Sequence, residues 1–501
     1  MSIQFNEIPL NLRTPGVFAE FDSSRAVSGV SIQPHDALLI GQKTSSGTAT
    51  SGDVYAVRSK DEAVQLFGKG SQLAQMVASY KKVDSLSPVY CIGLSDNGSG
   101  VAATGSIEAS GTATRAGQSV IRIGGRRIPV AITVGMTGAT WETAALAALA
   151  LYDEDLPVSY AGDTDTDAEG ADEDEDKILF TAKNDGTPGN QIFLGVDIME
   201  DEATPAGLTF VVTAMSGGAT DSDYAAAVTA MAEDQYHTIA IAAQDATNVG
   251  LLVTELTSRW GAMRSIEGVC FISKYDTSAN LTTYGNGFNS QCLVAVGAEK
   301  SAALPLPWET AAMTAAISAV QAQVDPAVAM LGKSYAGAFA AHRGGRFTRA
   351  ERNTLLTDGI STVRASSDGR LVTDRLITTY QTNALSAPDT AYLDLYLVRT
   401  LAAMRYSLRA RVATKFANFK LADDGNEITG QNILTPRILK SEILALFLDW
   451  QDLGWVENFE QFKAELLVQR NGSDPNRIDA ILPPDIINAF MVGAFRIAFQ
   501  R

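Results

Sequence analysis

Cysteine is scarce, with three among 501 residues: Cys91, Cys270 and Cys292. Their wide spacing offers neither a CxxC pair nor a zinc array, so the sequence points to buried thiols in a protein that folds under reducing conditions. Histidine is equally scarce, and His35, His237 and His342 stand in unrelated local contexts. No HExxH, GxSxG or GxxxxGK[ST] occurs, which removes the commonest zinc, serine-nucleophile and phosphate-loop chemistries. Long apolar runs are missing too. No stretch reaches the roughly 18 residues that a membrane helix needs, so no membrane partner is expected. The opening MSIQFNEIPLNLRTPG has no basic segment followed by an apolar run, so no export signal is expected either. Basic stripes interleaved with aromatics are absent, which argues against nucleic acid as a partner.

Acid, by contrast, is plentiful: 57 acidic residues against 39 basic ones give a net charge of −18. Much of that excess is local. Twelve acids and no base lie between Asp153 and Asp176, leaving 45 acids against 39 bases elsewhere. The simplest reading of this run is a solvated loop. Spaced aspartates also suit calcium, but the turn glycine and bidentate glutamate of a calcium loop are missing, so no metal is expected. In HRGGRF (342–347), Gly344 and Gly345 flanked by Arg343 and Arg346 have the composition of an anion cradle. A plain glycine turn with solvated arginines accounts for it more simply. No nucleophile is visibly paired with a base, and neither catalytic residues nor a cofactor are expected.

The hydropathy pattern divides the chain. Residues 1–30, interrupted by Pro9 and Pro15, read as an arm in which Ile3 and Phe5 are apolar. Residues 31–100 alternate strand and helix: ALLIG at 37–41, helices from Lys60 and Ser71, and PVYCIGL at 88–94. This rhythm signals a parallel α/β unit. Residues 101–215 change texture to short alternating runs such as SVIRIGG and LTFVVTAM, with one helix at 141–152, and read as an inserted β-rich domain. The α/β rhythm returns over 216–385, so that 31–100 and 216–385 together make one sheet covered on both faces. Residues 386–485 hold two strong amphipathic helices. In the first, 392–411, Leu393, Leu397, Leu401, Met404 and Leu408 form one stripe and Arg399, Arg405 and Arg409 lie opposite. In the second, 437–454, Leu439, Ile443, Leu446, Phe447 and Trp450 line one face. The fold class expected is therefore α/β and α+β, in several domains.

The chain closes on 486–501, where Phe495, Ile497 and Phe499 alternate with Arg496, Ala498 and Gln500 as in a strand. A strand in this position must pair with an earlier strand or with another molecule. Pairing with another molecule would make the protein a polymer subunit.

Several long segments carry a resemblance. They include TPGVFAEFD (14–22), RIGGRRIPVAITVG (122–135), FTAKNDGTPGNQI (180–192), RWGAMRSIEG (259–268), SLRARVATKFANFKLADDG (407–425), TPRILKSEILALFLDWQDLGWVENFEQFK (435–463) and RNGSDPNRIDAILPPDIIN (470–488). Through these, in order and nearly end to end, the chain resembles the tail sheath proteins of Mu-like contractile-tailed phages, and more distantly the sheaths of other contractile injection systems. The resemblance implies a subtilisin-like α/β core without a protease site, an inserted domain facing outward, and a C-terminal domain facing the tail tube. It also implies that the N- and C-terminal arms add strands to neighbouring subunits, with Ile3, Phe5, Phe495, Ile497 and Phe499 as the intersubunit residues. The implied product is a non-enzymatic virion protein, made in the host bacterial cytoplasm. It forms hexameric rings stacked around the tube and contracts to drive the tube through the host envelope. Tail tube, baseplate and tail terminator proteins are the implied partners. Residues 341–501 carry 20 bases against 18 acids, so the arginine face of the first C-terminal helix is the expected tube contact. The alternatives are a subtilisin-like hydrolase with an unrecognised site, against which no nucleophile–base pair can be named, and an acidic surface-array or adhesion protein, which the missing export signal opposes.

Overall fold

The computed structural model describes residues 33–163, 176–426 and 431–500. They fall in two compact units, one made of 34–402 with 489–500 and one of 403–488.

The larger unit is built on a nine-stranded sheet. Its order is Ser334–Phe339, Arg370–Arg375, Ile360–Ala365, Leu293–Ala298, Val269–Tyr275, Thr238–Ile241, Ala37–Gln42, Val89–Leu94 and Val54–Val57. The six strands from Ile360–Ala365 to Val89–Leu94 pair in parallel, and antiparallel strands close both margins. Central strands such as ALLIGQ and LVAVGA are buried at every position, which is why they read as continuous apolar runs. Strand alternation sends Leu39 into one core, with Leu73, Met76, Trp308 and Ala312, and sends Leu38 and Ile40 into the other, with Val249, Leu252 and Leu256. The helix Pro307–Val324 is buried almost all round and is rich in alanine, whose small side chain allows close approach to both the sheet and the helix Gln72–Val83. Pro307 opens it, and the Glu309 carboxylate accepts from the Leu306 N–H at 3.0 Å.

Residues 104–216 form separate sheets. One has the order Leu208–Ser216, Thr104–Gly111, Lys177–Ala182 and Val158–Gly162; the other has Arg126–Ile132, Gly117–Ile123 and Leu194–Val196. The hairpin in the second turns at Gly124 and Gly125, whose φ values of 53° and 79° suit a two-residue turn that glycine fills without strain. The helix Gly138–Ala150 covers the first sheet with Trp141, whose ring lies tilted against Phe210 with centres 4.7 Å apart and whose Nε1 donates to Ser119 Oγ at 2.9 Å.

In the smaller unit the helix Pro436–Asp452 buries Leu439, Ile443, Leu446, Phe447 and Trp450, the stripe its sequence shows. Phe447 stacks on Phe462 at 4.2 Å, and Trp450 Nε1 donates to Ser407 Oγ at 2.9 Å. Two short strands, Leu467–Arg470 and Ile478–Ile481, make a hairpin there. Helix Leu395–Phe416 begins in the larger compact unit and ends in the smaller, the two being divided at 402/403. Its first turns belong to the larger unit because Leu395 and Val398 are buried in that unit's core.

Candidate functional site

The carboxyl-terminal segment leaves the fold in stages. Asp485–Ile486 pairs with Val456–Glu457, and the Ile487 N–H donates to the Trp455 carbonyl at 3.1 Å. In the larger unit the Ala489 N–H donates to the Tyr396 hydroxyl at 3.2 Å, and Met491 lines a small recess with Met330, Leu331, Leu376 and Leu395. Beyond that point regular pairing stops. Phe495, Ile497 and Phe499 are 88%, 88% and 85% exposed, and among the described residues no backbone group pairs with 492–500. The alternating strand expected at 495–500 therefore has no partner strand within the described part of its own chain. Ile3 and Phe5 lie outside the described residues.

The arginine face requires correction. Arg399 is 5% exposed and points inward. Its guanidinium donates to the His237 carbonyl at 2.6 Å, to Thr238 Oγ1 at 2.8 Å and to Ser318 Oγ at 3.0 and 3.1 Å, and lies 5.8 Å from the Phe271 ring centre. The buried face of these first turns is Leu395, Val398, Arg399 and Thr400, whereas Leu393, Leu397 and Leu401 of the expected stripe are half-buried. Both sides of this stretch are apolar, so its period does not fix which side turns inward. Arg405 is half-buried and Arg409 exposed, and both have polar partners.

His35 and His237, unrelated in sequence, meet with ring centres 4.9 Å apart. The His237 Nδ1 accepts from the Asp36 N–H at 3.2 Å. Burial, and then the Arg399 charge, bring the His237 pKa down from 6.5 to about 4, and push that of His35 well below its usual value. Burial likewise brings Arg399 down to about 10. His35 Nδ1, His237 Nε2 and the Tyr80 hydroxyl have no hydrogen-bond partner among the described residues. This is a buried polar cluster that joins strand starts to helices, and among the described residues no hydroxyl nucleophile is hydrogen-bonded to His35 Nδ1 or His237 Nε2. The clue in sequence was an arginine set among apolar neighbours, LVRTLAAM.

The remaining sequence candidates are occupied by the protein itself. In HRGGRF the Arg343 N–H donates to Glu200 at 3.0 Å and Arg346 donates to the Ala341 carbonyl at 2.6 Å, so a carboxylate already sits where an anion would bind. The cleft of about 490 Å³ beside Gly124 and Gly125 has paired cations, Lys60 with Asp155 and Arg126 with Glu309. The acidic run is less solvated than its composition suggests: Asp155, Glu154 and Asp163 take Lys60, Lys69 and Lys177 at 2.5, 2.7 and 2.9 Å. Residues 164–175 of that run lie outside the described residues. Among the described residues no cluster of metal-ligating side chains occurs, and no helix is long and apolar enough to cross a membrane.

Comparison with known proteins gives two family matches. Residues 217–379 match the phage tail sheath protein central domain, and residues 387–500 match the phage tail sheath C-terminal domain. The Mu-like prophage FluMu tail sheath protein of Haemophilus influenzae is 34% identical over 509 residues, covering 100% of both chains. Among solved structures, the sheath tail protein of Desulfitobacterium hafniense aligns over 94% of this chain and 100% of its own, with 13% identity and a TM-score of 0.48. The anti-feeding prophage helical sheath in its contracted state aligns over 98% and 99%, with 12% identity and a TM-score of 0.46.

Proposed function

The chain belongs to the phage tail sheath family, and from that premise we propose that its subunits form hexameric rings, stacked helically around a tail tube and linked by exchanged strands. It is a tail sheath protein, a structural component of a contractile phage tail. The observation that carries the proposed linkage is the bare carboxyl arm, with Phe495, Ile497 and Phe499 turned to solvent. Three such side chains in a row are the pattern of a segment whose partner is another molecule.

The hairpin Leu467–Arg470/Ile478–Ile481 of a neighbouring subunit is the proposed acceptor. Among the described residues both its outer edges are unpaired, and the facing pair Leu467 and Ile481 is 48% and 64% exposed. Burying Phe495, Ile497 and Phe499 gives roughly 2 kcal/mol each. Ordering the arm costs roughly 1 kcal/mol per residue, and ladder hydrogen bonds return roughly 1 kcal/mol apiece. These terms come within a few kcal/mol of cancelling, so a single arm holds reversibly and the array holds through its many copies. The amino-terminal arm with Ile3 and Phe5 supplies the second connection in this reading.

Contraction then needs no cofactor. Arms keep neighbours joined while the bodies rotate and slide from a metastable packing to a better one, with the baseplate as trigger. In this reading the central domain is subtilisin-like in plan, which its parallel sheet covered on both faces supports. Residues 101–215 face outward, and 386–485 face the tube through Arg405 and Arg409. The tube, baseplate and terminator proteins are the proposed partners, and assembly takes place in the host cytoplasm. Electron microscopy of the purified full chain is expected to show hollow striated tubes. A chain truncated after residue 489 is expected to keep its circular dichroism and thermal transition while forming no tubes. Tubes assembled normally by the truncated chain would sink the exchanged-arm linkage.

A further inference from the structure

The antiparallel sheet within residues 104–216 ends on two margins that carry no further ladder among the described residues. One is Leu208–Ser216, LTFVVTAMS, which contains neither charge nor proline. Its register sets Thr209, Val211 and Thr213 opposite Ser110, Glu108 and Ser106. The Ala109 N–H donates to the Asp176 carbonyl at 2.9 Å, so odd positions of Thr104–Gly111 bond toward Lys177–Ala182 and even positions toward Leu208–Ser216. Thr209, Val211 and Thr213 therefore use their backbone groups inside the sheet, and Phe210 and Val212 turn theirs outward. At the other margin, Lys183 N donates to Pro157 O and Asp163 N to Lys177 O, both at 2.9 Å. Odd positions of Val158–Gly162 thus bond inward, while Val158, Tyr160 and Gly162 present theirs to the outside. Among the described residues no strand pairs with either edge.

Proteins blunt an exposed edge with charge, proline, short length or a bulge. The nine-stranded sheet does so: Val54–Val57 has four residues flanked by Asp53 and Arg58, and Ser334–Phe339 is broken at Gly337, whose φ is 75°. Strand Leu208–Ser216 has a register shift after Thr213, and Leu194–Val196 and Thr187–Gln191 lie close to it without pairing, but Val211 and Val212 remain 56% and 38% exposed.

We propose that the Leu208–Thr213 edge of one subunit adds to the Val158–Gly162 edge of a second copy, continuing the four-stranded sheet across the subunit boundary. The four strands alternate in direction, so the two margins run opposite ways and two copies in the same orientation meet as antiparallel partners. Such a contact is heterologous, and it propagates through a polar array where a two-fold edge-to-edge pairing would end it. The proposal rests on the sheath reading for the presence of like-oriented neighbours, and it is a contact separate from the carboxyl arm.

Two variants of the full chain test it. Val212→Pro removes an outward donor without costing an inward hydrogen bond, and edge strands accept proline at such positions. Sheaths of this variant are expected to form but to need a subunit concentration at least severalfold above wild type. Val211→Cys combined with Ser159→Cys or Ala161→Cys places thiols on the same exposed face, against a background of three buried native cysteines. Oxidised sheaths of one of these pairs are expected to give a ladder of covalent multimers on a non-reducing gel, and Val211→Cys alone is not. Wild-type sheaths with no ladder from either pair, and unchanged assembly of Val212→Pro, overturn the edge contact and leave the sheath reading standing. A wild-type chain that never polymerises overturns both. If Val212→Pro misfolds by circular dichroism, the cysteine pairs alone decide.

Discussion

Arg399 marks where a residue's chemistry and its place diverge. A guanidinium in the core survives there because a carbonyl and two hydroxyls receive its protons, with no carboxylate among its hydrogen-bond partners. Arg399→Ala would strand the His237 carbonyl, Thr238 and Ser318. It is expected to lower stability by roughly 3–5 kcal/mol, read as a shift of the denaturation midpoint in the full chain. Loss of assembly in that variant would reflect folding, not tube contact. The adjoining imidazoles add a pH dependence. His237 is held neutral in the fold, with its pKa lowered to about 4, so the unfolded chain takes up a proton between about pH 6.5 and pH 4 that the folded chain refuses. Stability from this group is complete above pH 6.5 and falls as pH drops through that window, by about 3 kcal/mol at most. The groups facing it are His35, Asp36 and Arg399; His35 and Arg399 shift downward as it does, and burial raises Asp36. A His35→Asn/His237→Asn variant is expected to flatten the melting temperature between pH 6.5 and 4 relative to wild type. Parallel profiles would refute the assignment.

At the scale of elements, the first long helix of the C-terminal region divides its work. Its early turns anchor in the larger unit through Leu395, Val398 and Arg399, and Arg405 and Arg409 lie further on, at the start of the part assigned to the smaller unit. Arg405→Glu/Arg409→Glu is expected to leave the thermal transition within a few degrees of wild type while reducing co-assembly with tail tubes in sedimentation. Weak ion pairs of roughly 0–1 kcal/mol each suit a contact that must release. Normal co-assembly would remove the tube-facing role. The helix Pro436–Asp452 was legible in its stripe of five buried residues, but Leu444 and Leu448, which in sequence widen that face toward all-round burial, are half-buried and exposed. The helix Leu395–Phe416 was legible in extent but not in phase. The central strands were legible as buried runs. Strands Ile360–Ala365 and Arg370–Arg375 were not, since ISTVRA and RLVTDR mix charge and threonine as a sheet margin allows.

For the whole molecule, the sequence by itself determined the alternation of apolar strands and helices, the amphipathic stripe of Pro436–Asp452 and the apolar run of the carboxyl arm. The first two are local patterns whose period matches the backbone that carries them. It also determined membership of the sheath family, because long segments in a fixed order carry more information than any short motif. Tertiary structure alone decided that His35 meets His237 from 202 positions away, that Arg399 is a core residue, and that the acidic run begins among lysines. It alone decided which edges stay open, on the hairpin Leu467–Arg470/Ile478–Ile481 and on Leu208–Ser216. The physical reason is the same in each case. Hydropathy fixes whether a residue can be buried, whereas what it meets depends on how distant strands and helices are brought together, and no local period encodes that.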